Sequence, residues 1–317
     1  MKVLLTGHDG YIGSVMRPAL TERGHSVLGT DACYFSDKGP KQDLRDVGEI
    51  SNFDAVIHLS GLSNDPMGEL NPELTQEINV ESTINLARKA KMGGVKRFIF
   101  SSSCSVYGCS DGFAYENSDI HPLSEYAKSK AAAENALLDL DDENFGVVIL
   151  RNATAFGWSP NFRSDLVLNT MTCAAYIENH INIVGDGTQW RPLVHVQDIC
   201  HAFLLALESS HRGIFNIGAR NYQVRAIASA VAELFPSCIV TNSENKDIDP
   251  RSYQVDFIKA KRELGFSPSW SIWDGIEELK DMFDTLDLHD FSGCVRLAKL
   301  KSLMEDGRLD KDLRWIE

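Results

Sequence analysis

Through the first 150 residues, short apolar runs alternate with longer stretches whose apolar positions recur at helical spacing. Residues 3–6, 26–30, 55–59, 97–100 and 147–150 read as strands, largely apolar without strict alternation, as expected of strands covered on both faces. Residues 12–22, 72–92 and 124–140 read as the intervening helices, the second with Leu74, Ile78, Ile84 and Leu86, the third with Ala131, Ala132 and Ala133 at its centre. This rhythm predicts an α/β fold, a parallel sheet flanked by helices that binds ligands beyond the carboxyl ends of its strands.

After Gly157 the rhythm loosens. Helices are predicted over 165–179, 196–207, 224–235, 256–264 and 272–286, strands over 182–184 and 214–217, and turns at Gly185-Asp186-Gly187 and Ser267-Pro268-Ser269. The division expected is a sheet domain of residues 1–155 and about 188–220, a smaller mixed α/β lobe of about 156–187 and 221–290, and a charged C-terminal helical tail over 291–317.

The first strand runs into Gly7-His8-Asp9-Gly10-Tyr11-Ile12-Gly13, which opens the first helix. Glycines at this junction permit a tight turn, close approach of backbone to a pyrophosphate, and tight helix–sheet packing; the amides at the helix start then hold the anion. Asp31 follows the second strand, where a carboxylate accepts both ribose hydroxyls of an adenosine and repels the extra phosphate of NADP. The cofactor expected is therefore NAD. Asp43, in Asp43-Leu44-Arg45-Asp46, is a second acid within reach of the adenine region.

Tyr126 and Lys130 are four apart in a predicted helix, hence on one face, about 5–6 Å apart. A phenol titrating near 10 is a poor base at neutral pH; a nearby ammonium stabilises the phenolate, which can then take a proton from a sugar hydroxyl as hydride leaves the same carbon. The spacing alone is common, but the serine-rich segment Ser101-Ser102-Ser103-Cys104-Ser105 ends the fourth strand at the sheet's ligand edge, where a hydroxyl can hydrogen-bond the reacting oxygen.

Charge and composition narrow the partners. The chain of 317 residues carries 45 acids against 31 bases, a net −14, which opposes nucleic acid and anionic membranes but leaves room for an anionic substrate held by local arginines. No segment approaches about 18 uninterrupted apolar residues, and the apolar run in residues 1–7 is too short for a signal peptide. Seven cysteines without a CxxC pair suggest neither zinc nor a disulfide framework, and His8, His58, His121, His195 and His201 are too scattered for a metal cluster. A reducing, cytoplasmic location is expected.

Together, Thr6-Gly7-x-x-Gly10-x-x-Gly13, Asp31, Asp43-Leu44, Val56-Ile57-His58-Leu59, Asn79, Ser103, Tyr126-x-x-x-Lys130 and residues 185–191 resemble the extended short-chain dehydrogenase/reductases, specifically the NAD-dependent nucleotide-sugar epimerases, dehydratases and reductases. The resemblance covers at least residues 1–270 and implies a Rossmann-type sheet with a substrate-binding lobe. It implies Ser103, Tyr126 and Lys130 as catalytic residues, with Tyr126 as acid and base. It implies cofactor contacts from Gly7, Gly10, Tyr11, Ile12, Gly13, Asp31, Asp43, Leu44, Leu59, Ser60, Asn79 and Ser101, besides Tyr126 and Lys130. Asn169, Arg191 and Arg251 are implied as holders of the diphosphate of a nucleotide-diphosphate sugar, the arginines through bidentate guanidinium contacts. A homodimer, paired through the helices at 72–92 and 124–140, is implied as well.

The chemistry within that group is less determined. Its 4,6-dehydratases carry an Asp-Glu pair after the serine or threonine; here those positions are Cys104-Ser105, which argues against ordinary dehydration. The pattern Ser103-x-x-Val106-Tyr107-Gly108 resembles the 4-epimerases better, and a C4 epimerase working through a transient 4-keto sugar is the expectation. The alternative is a keto-sugar reductase or epimerase/reductase, in which the Cys104 thiolate would abstract an α-proton at the substrate; the plainer reading of Cys104 is a small buried side chain. A silent NAD-binding protein is opposed by the intact Ser103, Tyr126 and Lys130. Asn64 and Asp65 either bind sugar hydroxyls or form a turn before Pro66, and Asn152 and Thr154 stand where many relatives have an aromatic and an asparagine.

Overall fold

The computed structural model describes residues 1–36, 40–243 and 251–316. Its strands are Lys2–Thr6 (β1), Ser26–Thr30 (β2), Ala55–His58 (β3), Arg97–Ser103 (β4), Cys109–Ala114 (β5), Gly146–Asn152 (β6), Thr154–Phe156 (β7), His180–Val184 (β8), Trp190–His195 (β9), Gly213–Ile217 (β10), Arg220–Gln223 (β11), Ile239–Ser243 (β12) and Ser252–Val255 (β13). Its helices are Gly13–Glu22 (α1), Asp65–Gly68 (α2), Pro72–Gln76 (α3), Ser82–Met92 (α4), Glu125–Leu138 (α5), Val167–Glu178 (α6), Val196–Glu208 (α7), Val224–Leu234 (α8), Ile272–Thr285 (α9) and Arg296–Glu305 (α10).

Six strands pair in the order β2-β1-β3-β4-β6-β10, all parallel. Every residue of β3 and β6 is buried, because helices cover both faces. Met16 and Leu20 of α1 and Ile199 and Phe203 of α7 pack into the core on one face; Leu86 and Ala87 of α4 and Ala133 and Leu137 of α5 pack on the other. The winding reverses between β1 and β3, so the crevice at the carboxyl end of the sheet opens there.

The predicted helix over 72–92 is a continuous helical run with one wide turn at Glu77–Glu81, between α3 and α4. That π turn sets Asn79 facing the loop after β3. Wide turns of this kind concentrate at functional sites.

The region after residue 157 differs most from expectation. α6, α8 and α9 enclose a second core that includes Phe162, Leu168, Ile227, Ile276 and Phe283. The strands β5, β7, β9, β11, β12 and β13 are not legible as apolar runs, since they are short and several are polar. Their partners lie far away in sequence, as β5 with β13 and β8 with β12 show. The C-terminal segment is not peripheral: Leu300, Leu303, Leu309 and Leu313 are buried against Leu62, Met67, Leu74 and Ile78.

Candidate active site

At the crevice a cleft of about 830 Å³ separates the sheet from the smaller lobe. Gly7 adopts φ +72°, and its amide donates to the Thr30 carbonyl at 2.8 Å. A β-carbon here would stand 2.7 Å from the Ser60 nitrogen, and one at Gly13 only 1.9 Å from the Gly7 carbonyl oxygen. The turn is thus closed to side chains. No side chain caps the start of α1, where the Ser14 amide donates to the Gly10 carbonyl at 3.0 Å, so the positive end of the helix dipole meets the cleft without a competing side chain.

Asp31 directly follows β2 at the cleft wall, its carboxylate accepting the Asp9 amide at 3.0 Å and the Cys33 amide at 2.7 Å. Burial raises its pKa, and those two N–H donors oppose the rise. Asp43 and Leu44 form the rim beyond it, with Asp43 gripped by Arg45 at 2.5 Å. These residues, the bare turn and the uncapped helix fit a dinucleotide with an unphosphorylated adenosine ribose.

Leu59 and Ser60 continue the floor from β3. Asn79 lies beneath it and outside the cleft; its amide accepts the Leu62 N–H at 2.8 Å and donates to the Leu62 carbonyl at 3.1 Å and to the Ser129 hydroxyl at 3.0 Å. It ties the loop after β3 to α5, and so acts through position rather than contact.

Ser124 caps α5 by accepting the Ala127 amide, and the alanine-rich helix then carries Tyr126 and Lys130 to the cleft on one face. Ser103 and Tyr126 line the cleft together, the Ser103 hydroxyl accepting the Ser105 amide at 3.1 Å. Lys130 donates to the Ser101 carbonyl at 2.9 Å and lies 4.7 Å from the Phe100 ring centroid and 5.8 Å from that of Tyr126. The expected pull of Lys130 on the phenol does not govern among the chain's own groups. Burial and the Asp65 carboxylate push Tyr126 up to about 12, opposed by the neighbouring Ser103 side chain and Arg163, while burial pulls Lys130 down to about 8. Behind this edge Glu134 accepts from Ser102 and pairs with Arg151 at 2.6 Å, and Arg151 donates to the Tyr107 hydroxyl at 2.9 Å.

Two expected substrate contacts are corrected. Cys104 is 1 % exposed, packs in the sheet core, donates to the Arg151 carbonyl and has its thiol pKa raised by burial; it turns away from the cleft because the helical turn after Ser103 points it inward. Asn169 is wholly buried, accepting the Gly157 amide at 3.1 Å and donating to the Arg163 carbonyl at 2.9 Å, and does not face the cleft. Tyr11, at the cleft edge, is pinned to the same turn through the Gly157 carbonyl at 2.7 Å.

Arg191 and Arg251 do converge on the cleft, the Arg191 guanidinium donating to the Arg251 carbonyl at 2.5 Å. Arg251 also pairs with Asp65, whose carboxylate accepts from Ser124. Asn64 faces the cleft but is engaged as the cap of α2 and donates to Asp165 at 2.8 Å. Asn152 donates to the Ser101 hydroxyl at 3.0 Å, and its buried side-chain oxygen has no protein partner. Sequence reasoning missed Arg163 and Arg296, which also line the cleft. Neither lies in a glycine turn or a periodic stretch, so only proximity in the fold reveals them.

Known proteins resemble this chain in sequence and fold. The chain is similar to UDP-glucuronic acid decarboxylase 1 of Arabidopsis thaliana, 25% identical across 92% of this chain and 72% of that one. It is 27% identical to the UDP-glucuronate 4-epimerase of Thermodesulfobacterium geofontis, across 86% of this chain and 93% of that one. Among solved structures, MoeE5 in complex with UDP-glucuronic acid and NAD is 29% identical with TM-score 0.81, and the UDP-glucose 4-epimerase of Thermotoga maritima with UDP-glucose is 25% identical with TM-score 0.80; each covers 90% of this chain and 100% of its own. The family model for NAD dependent epimerase/dehydratase proteins matches residues 3–218, which carry the parallel sheet from β1 through β10. The chain belongs to the NAD dependent epimerase/dehydratase family.

Proposed function

We propose that the chain epimerises a nucleotide-diphosphate sugar at C4 through a transient 4-keto sugar. The observation that carries this reading is the convergence of Ser103, Tyr126 and Lys130 in the same cleft as the glycine turn and Asp31. Bound NAD supplies a hydride acceptor in its oxidised form, and a donor when reduced. Ser103 orients the C4 oxygen. Tyr126, as phenolate, takes the C4 hydroxyl proton as the C4 hydrogen leaves as hydride, and returns that proton once hydride comes back on the other face of the sugar. Lys130 keeps positive charge at this edge, and Arg191 and Arg251 hold the diphosphate. The nucleotide is read as uridine, on the printed names of the epimerase and decarboxylase relatives.

A second reading, decarboxylation, is favoured by the match to the plant decarboxylase. It shares the first step, because a uronate oxidised at C4 is a β-keto acid that loses carbon dioxide. Incubating the protein and NAD with UDP-glucose, UDP-galactose and UDP-glucuronate under NMR separates the readings. The expected result is a C4 epimer pair without net consumption of reduced cofactor. A pentose product with carbon dioxide supports the second reading, and stoichiometric loss of NADH or NADPH supports a reductase. Tyr126→Phe is expected to lose roughly 100- to 10,000-fold in turnover while still binding NAD; near-normal turnover would reject the mechanism.

We also read the outer faces of α4 and α5 as a homodimer contact; on them Ile84, Ala132 and Ala136 are only partly buried, and light scattering on the eluted protein tests it. Among the described residues no helix is long and apolar enough to cross a membrane. The cysteine pattern suits a reducing compartment, and we place the enzyme in the cytoplasm.

A further inference from the structure

Arg296, the first residue of α10, is 4 % exposed and lines the cleft. Its guanidinium donates to the Asn161 carbonyl at 2.7 Å and lies 4.1 Å from the Phe35 ring centroid. Among the described residues no carboxylate is within ion-pair distance of it. Arg163, a cation that acts on it, is by contrast paired with Asp165 at 2.8 Å. Burial and the like charge of Arg163 pull the Arg296 pKa down to about 10. Asp165 and Asp31 act on it only from beyond ion-pair distance, and an anion in the cleft would relieve the remaining cost of burying the charge.

The position of the guanidinium identifies which anion. The Asn161 side chain donates to the Asp9 carbonyl at 2.5 Å inside the glycine turn, and the Asp9 amide in turn donates to the Asp31 carboxylate. Arg296 is thus one residue removed from the turn and two from the ribose acid. Phe35, under its guanidinium, belongs to the loop that follows β2. The C-terminal segment is fastened to that loop: the Trp315 indole donates to the Ala32 carbonyl at 2.6 Å, and the Tyr34 hydroxyl to the Leu313 carbonyl at 2.6 Å.

We propose that the C-terminal segment completes the cofactor site, with the Arg296 guanidinium binding the pyrophosphate of NAD together with the amides of the glycine turn. The segment packs beside the cleft mouth through Leu300 and Leu303, so the charge is held in place before the dinucleotide arrives.

The test measures affinities of full-length wild type, R296Q and R296K, stripped of copurified cofactor, for NAD, ADP-ribose, adenosine and UDP by calorimetry. R296Q is expected to bind NAD and ADP-ribose roughly 10- to 100-fold more weakly, the range for losing a hydrogen bond to a charged group. Adenosine and UDP are expected to bind as to wild type. Lysine keeps the charge but loses the planar fork, so R296K is expected to lose several-fold. An unchanged ratio of NAD to adenosine affinity in both variants, or in R296K alone should R296Q not fold, overturns the proposal. Equal losses for NAD and adenosine overturn it too, since they mean a displaced loop. A loss confined to UDP overturns it by assigning the guanidinium to the substrate diphosphate. None of these readouts depends on which sugar is turned over.

Discussion

Lys130 places its ammonium on the main-chain oxygen of Ser101, 2.9 Å away, at the carboxyl end of β4. The contact holds a buried charge that burial itself disfavours: the amine is pulled down to about 8, with Glu134 acting in the opposite direction. An unfolded lysine titrates near 10.4. Between about pH 8 and that value the unfolded chain keeps the proton that the folded chain has lost, so stability rises with pH across this window. Below it the full burial cost stands, about 3 kcal/mol for a shift of this size.

Lys130→Met should therefore stabilise the fold at pH 7, by about 1–2 kcal/mol after loss of the Ser101 hydrogen bond, with the gain fading by pH 10. Turnover should fall roughly 100-fold or more in the same variant. Urea unfolding at pH 7 and pH 10 checks the first claim, and a variant less stable than wild type at pH 7 contradicts it.

Asp65 raises the Tyr126 pKa and holds Arg251. Asp65→Asn removes a negative charge from beside the phenol, which favours the phenolate. The acid limb of the kcat profile should move to lower pH, on the order of one unit. A profile that stays in place means that Asp65 does not set the basicity of the phenol.

At the other end of the cleft, Asp31 should choose the cofactor by repulsion. Asp31→Asn keeps an acceptor for an N–H donor but removes the charge, so the ratio of NADP to NAD affinity should rise about tenfold or more. Titration of both dinucleotides into the stripped protein measures it; an unchanged ratio would place cofactor choice elsewhere.

Cys104 faces the core with its thiol pKa raised, and it should not act as a base. Cys104→Ala should keep kcat within roughly threefold and cost about 1 kcal/mol of stability, the order expected for truncating a small buried side chain. A collapse of turnover in a variant with normal melting would restore it to the chemistry.

Much of the cofactor half was legible because its signals are local. The turn Gly7–Gly13 joins one strand to the next helix, Asp31 directly follows the next strand, and the spacing of Tyr126 and Lys130 fixes their shared face on α5. Uninterrupted apolar runs announced β3 and β6 for the same reason: a strand covered on both faces needs apolar residues at every position.

The substrate side and the tail were not legible, because their meaning depends on contacts between distant segments. Cys104 and Ser103 are adjacent in sequence, and only the turn after β4 decides that one faces the core and the other the cleft. Arg251 meets Asp65 across 186 positions, and Trp315 reaches Ala32 across 283. The amino-acid sequence by itself determined the sheet, the dinucleotide turn and the tyrosine–lysine pair, since backbone periodicity and helical spacing act over a few residues. Tertiary structure alone added Arg163 and Arg296 to the cleft and decided what the C-terminal segment covers, since burial and charge pairing are properties of neighbours in space.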